Sequence, residues 1–220
     1  MAQMGRPRTF DRDQAVEQAL HLFWEHGYDS TSLSQLKARL GGGISAPSFY
    51  AAFGSKDALF QECVQRYLAS FARVTDCLWD EALAPREAIQ TALRQSARMQ
   101  CDDSHPKGCM VSLGVMSAST PDSITVTAAL TESRERTRAG FVACVERGIR
   151  LGHLPANTVA SVMATVFDSF LQGVSVLARD GVSHEVIDAA ISRIMLTWDL
   201  SAAVSAPTRH DVPAENPQTP

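Results

Sequence analysis

Residues 31–56 read TSLSQLKARLGGGISAPSFYAAFGSK, and the punctuation of this stretch decides the fold. Ser32 is an N-cap ahead of Leu33, Leu36 and Leu40, an i, i+3, i+7 set that places three leucines on one face of a short helix. Gly41, Gly42 and Gly43 stop that helix, because glycine enters left-handed backbone without a Cβ clash. Ser45 caps a second helix. Pro47 falls in its first turn, where an amide needs no intrahelical partner, and Phe49, Tyr50 and Phe53 follow. Two short helices across a glycine-containing turn form a helix-turn-helix, whose second helix can enter a DNA major groove.

On the N-terminal side, Asp11 caps a helix predicted to reach about His26. Its stripe of Ala15, Val16, Ala19, Leu20, Leu22 and Phe23 is a core face, and Gly27 ends it. Residues 1–10 form a short basic arm in which Arg6 and Arg8 flank Pro7, a pattern suited to a narrow groove or to phosphates. On the C-terminal side, Ser55 caps a fourth helix. Lys56 adds a positive charge to its unpaired first amides, which suits a phosphate. This helix is predicted to run to about Ala82, which at 1.5 Å per residue is on the order of 40 Å. The candidate DNA-facing set is Arg6, Arg8, Thr31, Ser32, Lys37, Ser45, Ala46, Pro47, Ser48, Tyr50 and Lys56. Ala46 can meet a thymine methyl and Ser48 a base edge. No Arg, Asn or Gln in the second helix offers a bidentate base contact, so DNA shape carries part of the readout.

Three segments, GRPRTF at 5–10, ALHLFWEHGYDSTSL at 19–33 and ISAPSFYAAFGSKDALF at 44–60, occur in an order that resembles the N-terminal domain of the TetR family of bacterial regulators. The resemblance spans roughly Gly5 to Tyr67 and is most specific at Tyr50 and Phe53-Gly54-Ser55-Lys56. It implies a ligand-responsive dimeric repressor whose arm lies along DNA and whose Tyr50 holds a phosphate or a base. The chain departs from the family at one point. Where one glycine and an apolar residue usually join the two helices, it has Gly41-Gly42-Gly43 before Ile44. Two extra residues either bulge outward or change the angle of the recognition helix.

The whole-chain charge does not by itself announce a nucleic-acid binder. The 220 residues carry a formal net charge of −4. Residues 1–60 balance six Lys/Arg against six Asp/Glu, so Arg6, Arg8, Lys37 and Lys56 have to segregate onto one face. A 45% apolar content is enough for a real core. Five cysteines, with no CxxC pair, point to a reducing compartment. With no signal-like start and no stretch of about 18 apolar residues, the expectation is a soluble cytoplasmic protein without a membrane partner.

The expected fold class is all-α, with an N-terminal three-helix helix-turn-helix domain and a C-terminal helical ligand-binding and dimerisation domain. The boundaries are a flexible arm at 1–10, the DNA-binding domain at 11–55, the effector and dimerisation domain at 56–204 with a connecting helix at 56–82, and a proline-containing disordered tail at 205–220. In the body, helices are predicted from Pro85 to about Cys101, from Cys109 to Ser119, from Thr120 to about Leu151, from Thr158 to about Arg179 and from Ser183 past Trp198. The last two make a four-helix dimer face with a second copy. An effector pocket is placed among Phe71, Leu78, Met99, Met110, Met116, Phe141, Phe167 and Phe170, with Asp168 and Gln172 as polar anchors.

No Walker loop, GxGxxG, HExxH or GxSxG is present, so no catalytic set, cofactor or dedicated metal site is assigned. Cys101, His105 and Cys109 leave three readings open: a soft metal site, a redox-sensing thiol, or packing and loop residues. The functional expectation is a transcriptional repressor released from a palindromic operator by a small-molecule or stress effector. A redox- or metal-sensing version working through Cys101, His105 and Cys109 is the alternative, with a thiol-dependent enzyme a distant third.

Overall fold

In the computed structural model, which describes residues 10–203, the head begins on the caps that the sequence marks. α1 (Arg12–Ser30) starts where Asp11 Oδ1 accepts from Gln14 N at 3.0 Å. The helix does not stop at Gly27. It kinks there through a left-handed φ of 79° and runs on to Ser30. Thr31 stitches the kink, its hydroxyl donating to Gly27 O at 2.7 Å and Leu22 O at 3.4 Å. α2 (Leu33–Arg39) opens on a capping box in which Ser32 and Gln35 satisfy each other's amides. α3 (Ala46–Phe53) opens on Ser45, whose Oγ accepts from Ser48 N at 3.2 Å.

The fourth helix is shorter than expected. α4 spans Lys56–Ala69 only, about 21 Å rather than 40 Å. Ser70 leaves helical geometry (φ −126°, ψ −85°) with its hydroxyl donating back to Arg66 O at 2.7 Å, and Phe71–Trp79 continues as a tighter 3-10 helix. The reason is tertiary. Phe71 is drawn into an aromatic cluster, 5.0 Å from the Trp24 ring and 4.9 Å from His105.

The body is built from α5 (Pro85–Gln100), α6 (Met110–Ser117), α7 (Pro121–Val126), α8 (Ala128–Arg150), α9 (Ala160–Arg179), α10 (His184–Ile194) and α11 (Leu196–Ala203). The expected single helix after Thr120 is two, broken at Thr127, whose hydroxyl turns back onto Ser123 O at 2.8 Å. The helix after Ser183 is likewise divided at Met195. The expectation that no segment could span a bilayer also needs correction: by length and composition α9 is apolar enough. One face of it, including Met163, Ala164, Phe167, Leu171 and Val174, is instead buried in the body core.

Two apolar clusters hold the described chain together. One joins α1–α4 to Met110 and Val111 of α6 and Leu130 of α8, so the head's core continues into the body. The other packs α5, α8, α9 and α10 around Phe141, Phe167 and Ile191. Trp24 pins the first to the loop before α6: its Nε1 donates to Gly108 O at 3.1 Å and its ring stacks on His105 at 4.5 Å. From α9, Arg179 donates to Trp24 O at 2.7 Å.

Candidate nucleic-acid interface and effector cleft

The glycine run forms a closed turn rather than a loose bulge. Gly41, Gly42 and Gly43 have φ of 58°, 79° and 107°, a region that L side chains rarely enter. Three of the turn's amides are committed: Gly41 N donates to Gln18 Oε1 at 2.9 Å, Gly43 N to Leu40 O at 2.9 Å and Ile44 N to Lys37 O at 2.8 Å. A Cβ on Gly41 would lie 3.0 Å from the Phe10 ring. Gly41→Ala is therefore expected to cost about 1–2 kcal/mol, mostly backbone strain because exposed Phe10 can shift. A fall in Tm of about 2–8 °C by circular dichroism is the readout. An unchanged Tm would show that the turn tolerates a side chain and that its angle is not fixed by the glycines.

Beyond the turn, Ser45, Pro47, Ser48 and Tyr50 are exposed and Ala46 is half-buried, while Phe49 and Phe53 are buried in the head core. Tyr50 is 51% exposed and leans edge-on against Phe49. Small residues at the start of α3 leave the helix free to approach a groove closely. Ser32 is exposed at the start of α2, and Lys37 is half-buried near its end. Thr31 does not belong to this surface: it is fully buried, and its hydroxyl is used by the α1 kink. Arg6 and Arg8 lie outside the described residues.

Lys56 is the first residue of α4, whose N-cap Ser55 accepts from Ala58 N at 3.0 Å. Its ammonium sits 4.0 Å from the centre of the Tyr28 ring. The Tyr28 hydroxyl donates to Asp57. Burial pulls the Lys56 pKa down against the opposing pull of Asp29 and Asp57. Tyr28 and Asp57 thus hold an amine at a helix N-terminus, where amide dipoles favour an anion. Arg12, which sequence reading passed over, is used structurally. It makes a two-pronged pair with Glu62 at 2.7 Å and 2.6 Å and lies over Phe53, tying the start of α1 to α4. Glu62 is held below the usual carboxylate range by that guanidinium. Only a fifty-residue separation in sequence hid this pair.

In the body, a narrow cleft opens between the 3-10 segment, α5, α6, α8 and α9. Of the ten expected pocket residues, it brings Met99 and Gln172 to its wall. Phe141 and Phe167 stack in the second core, Leu78 and Phe170 pack with them, Met110 is buried in the first core, and Phe71 belongs to the Trp24 cluster. Met116 is 66% exposed on the outer face of α6. Asp168 is buried but occupied, receiving Arg138 Nε at 3.0 Å and Gln172 Nε2 at 3.2 Å. The exposed wall is mostly apolar, but its lining also includes the polar residues Thr75, Ser96, Gln100, Ser112, Ser133 and Thr137. Sequence reading searched for aromatics and passed these over.

Cys101, His105 and Cys109 do not converge. Among the described residues no group of three His, Cys, Asp or Glu is arranged to hold a metal ion. Cys101 packs against the second core and burial pushes its thiol up, while His105 stacks on Trp24. Cys109 differs from both: it lines the cleft, and its Sγ accepts from Tyr67 Oη at 3.4 Å.

Comparison with known proteins agrees with this geometry. The signature described as "Bacterial regulatory proteins, tetR family" matches residues 15–63. The chain is 31% identical to the HTH-type transcriptional repressor ComR of Escherichia coli (strain K12) over 198 residues, 88% of this chain and 91% of that protein. It is 32% identical to the HTH-type transcriptional repressor BdcR of the same organism over 84% of this chain and 87% of that one. A solved structure of a cysteine-substituted variant of the regulator CifR, complexed with 26-base-pair operator DNA, is 37% identical, with a TM-score of 0.76, and is matched over 88% of this chain and 100% of its own.

Proposed function

The chain belongs to the TetR family of bacterial regulatory proteins, and on that premise we propose that it is a homodimeric, ligand-responsive repressor of transcription acting in the cytoplasm. The observation that carries the reading is the capped, exposed Ser45–Tyr50 face of α3 beside the Lys56 end of α4. The repressor names of the two relatives and the operator-bound structure of the third support it. α3 would enter the major groove with Ser45, Ala46, Pro47 and Ser48 toward base edges, and Tyr50 and Lys56 would hold the flanking phosphates. Arg6 and Arg8 would add contacts from the arm, and Ser32 and Lys37 from α2.

Dimerisation is supported by apolar side chains that the body leaves outside. Val162 on α9, Val186 on α10 and Leu200 on α11 are 63%, 59% and 68% exposed. A second copy burying them would account for the apolar surplus of α9 without a membrane. A dimer reads two half-sites at once, so a change of a few ångström between the two α3 helices weakens both contacts together. The link from cleft to head runs through α4, which carries Lys56 at its start and, near its end, Tyr67, whose hydroxyl bonds Cys109 Sγ and the Met110 amide. Fluorescence anisotropy on DNA upstream of the protein's own gene tests the reading. Tight binding that weakens steeply with salt and saturates at two chains per duplex supports it; binding no tighter than to random duplex counts against it.

A second reading, sensing of oxidants through Cys109, is favoured by the same Tyr67 contact, because a bulkier oxidised sulfur would displace that hydroxyl. Loss of DNA binding on peroxide treatment that persists in Cys109→Ser would rule it out.

A further inference from the structure

We propose that the body cleft is built for a compact hydroxylated monoanion, one hydroxyl and one carboxylate on an apolar frame. This deepens the reading of the body as an effector-binding domain and rests on it.

Several polar groups on the cleft wall already have partners. The Thr75 and Thr137 hydroxyls lie 3.4 Å apart, and Gln100 Oε1 accepts from Ser175 Oγ at 2.7 Å. Two buried oxygens do not. Among the described residues the hydroxyl of Ser96, which is 1% exposed, has no hydrogen-bond partner, and the buried Oε1 of Gln172 is in the same condition. Native interiors keep few such orphans, since each forfeits its hydration for nothing. Their chemistry defines what is missing. Gln172 Nε2 donates to the Asp168 carboxylate, which fixes the amide's orientation and makes Oε1 an acceptor that needs a donor. A serine hydroxyl takes either role. One ligand hydroxyl therefore serves both, donating to Gln172 Oε1 while accepting from Ser96 Oγ.

Charge sets the second requirement. Arg134 lines the same cleft and has no ion-pair partner among the described residues, whereas Arg136 and Arg138 on the same helix pair with Asp76 and Asp168. The Asp168 carboxylate is taken by Arg138 and Gln172, so the cleft offers no free acid to a cation. A carboxylate meets Arg134 in the two-pronged geometry a guanidinium favours; an ammonium meets only repulsion. Val74, Val111 and Leu171 supply apolar wall for the frame. The enclosed space, about 40 Å³, has room for only a few waters and lies well below the roughly 300–1,000 Å³ typical of ligand clefts, so the ligand is limited to about one ring and the wall must part to admit it.

Three probes that share a ring separate these requirements: 4-hydroxyphenylacetate, phenylacetate without the hydroxyl, and tyramine with an amine in place of the carboxylate. By isothermal titration calorimetry on the full chain, 4-hydroxyphenylacetate is expected to bind at least about tenfold more tightly than either of the others. Ser96→Ala deletes an orphan hydroxyl, so its thermal melt should match the parent's, and it should erase the preference over phenylacetate. Arg134→Gln should erase the preference over tyramine. Equal affinity for all three probes, no binding by any, or a hydroxyl preference that survives in Ser96→Ala would overturn the proposal. The regulator reading fails separately, in a DNA titration without probes. Release of bound DNA by 4-hydroxyphenylacetate supports both readings. Calorimetric binding without release supports the ligand assignment and counts against the cleft as effector site.

Discussion

Lys56→Ala is expected to weaken operator binding by about 10–100-fold and to flatten its salt dependence. Each phosphate contact releases condensed counterions and contributes about 0.9 to the slope of log K against log salt. A dimer loses the contact in both half-sites, so the slope should fall by about 2. The penalty in affinity is multiplied in the same way, a modest loss per half-site becoming its square. The structure separates this from a folding defect. Lys56 lies over Tyr28 but makes no ion pair within the described chain, so its removal costs the fold about one surface cation–π contact, 0.5–1 kcal/mol. Tm should therefore move by only about 1–4 °C. Tyr50→Phe divides the neighbouring residue's role in a similar way: it keeps the edge contact with Phe49 and removes only the hydroxyl. Binding that stays at the parent's level and salt slope in both Lys56→Ala and Tyr50→Ala would move the phosphate-holding site elsewhere on the head.

The head was legible because its signals are local. Ser32, Ser45 and Ser55 each cap the helix that follows within three residues, and the backbone of Gly41–Gly43 is one that other residues rarely adopt. What failed was decided by partners far away in sequence. Nothing between Lys56 and Ala82 says that Phe71 will be claimed by Trp24 and His105, yet that claim shortens α4. Thr31 looked like a surface residue before a cap and proved to be the clamp of a kinked helix. α6 is free of charge, so it gave no amphipathic sign of which face is outward, and Met116 points to solvent. The cleft was misread for a related reason. Large aromatics advertise a pocket in sequence, but here they fill the two cores, while hydroxyls and amides, of which sequence reading named only Gln172, line part of the space left between helices.

Gly108→Ala is expected to be the most damaging single-methyl change in the head-to-body junction. Two penalties coincide there. The residue sits at φ 83°, where a Cβ costs about 1–2 kcal/mol. That Cβ would also lie 2.7 Å from Leu113 Cδ1 and 2.9 Å from Ser175 O. The leucine can turn away. The carbonyl belongs to the helical backbone of α9 and cannot, so overpacking adds about 1–3 kcal/mol. A sum near 3 kcal/mol corresponds to a fall in Tm of about 6–12 °C for a chain of this size. Gly152→Ala isolates the first penalty, since Gly152 has φ 72° and nothing within 4 Å of the added carbon; it should cost about 1 kcal/mol and 2–4 °C. If the two variants melt together, the close approach of α9 to this loop is not what holds it. A functional consequence follows from the same geometry. Gly108 O is the acceptor for Trp24 Nε1, and Arg179 of α9 reaches both Lys107 O and Trp24 O, so a loop pushed off α9 pulls on α1. Gly108→Ala should therefore lose operator affinity with an unchanged salt slope, because the phosphate contacts are intact and only the placement of the heads has shifted. Lys56→Ala loses affinity by losing slope. The two variants together distinguish contact from geometry in a single set of salt titrations.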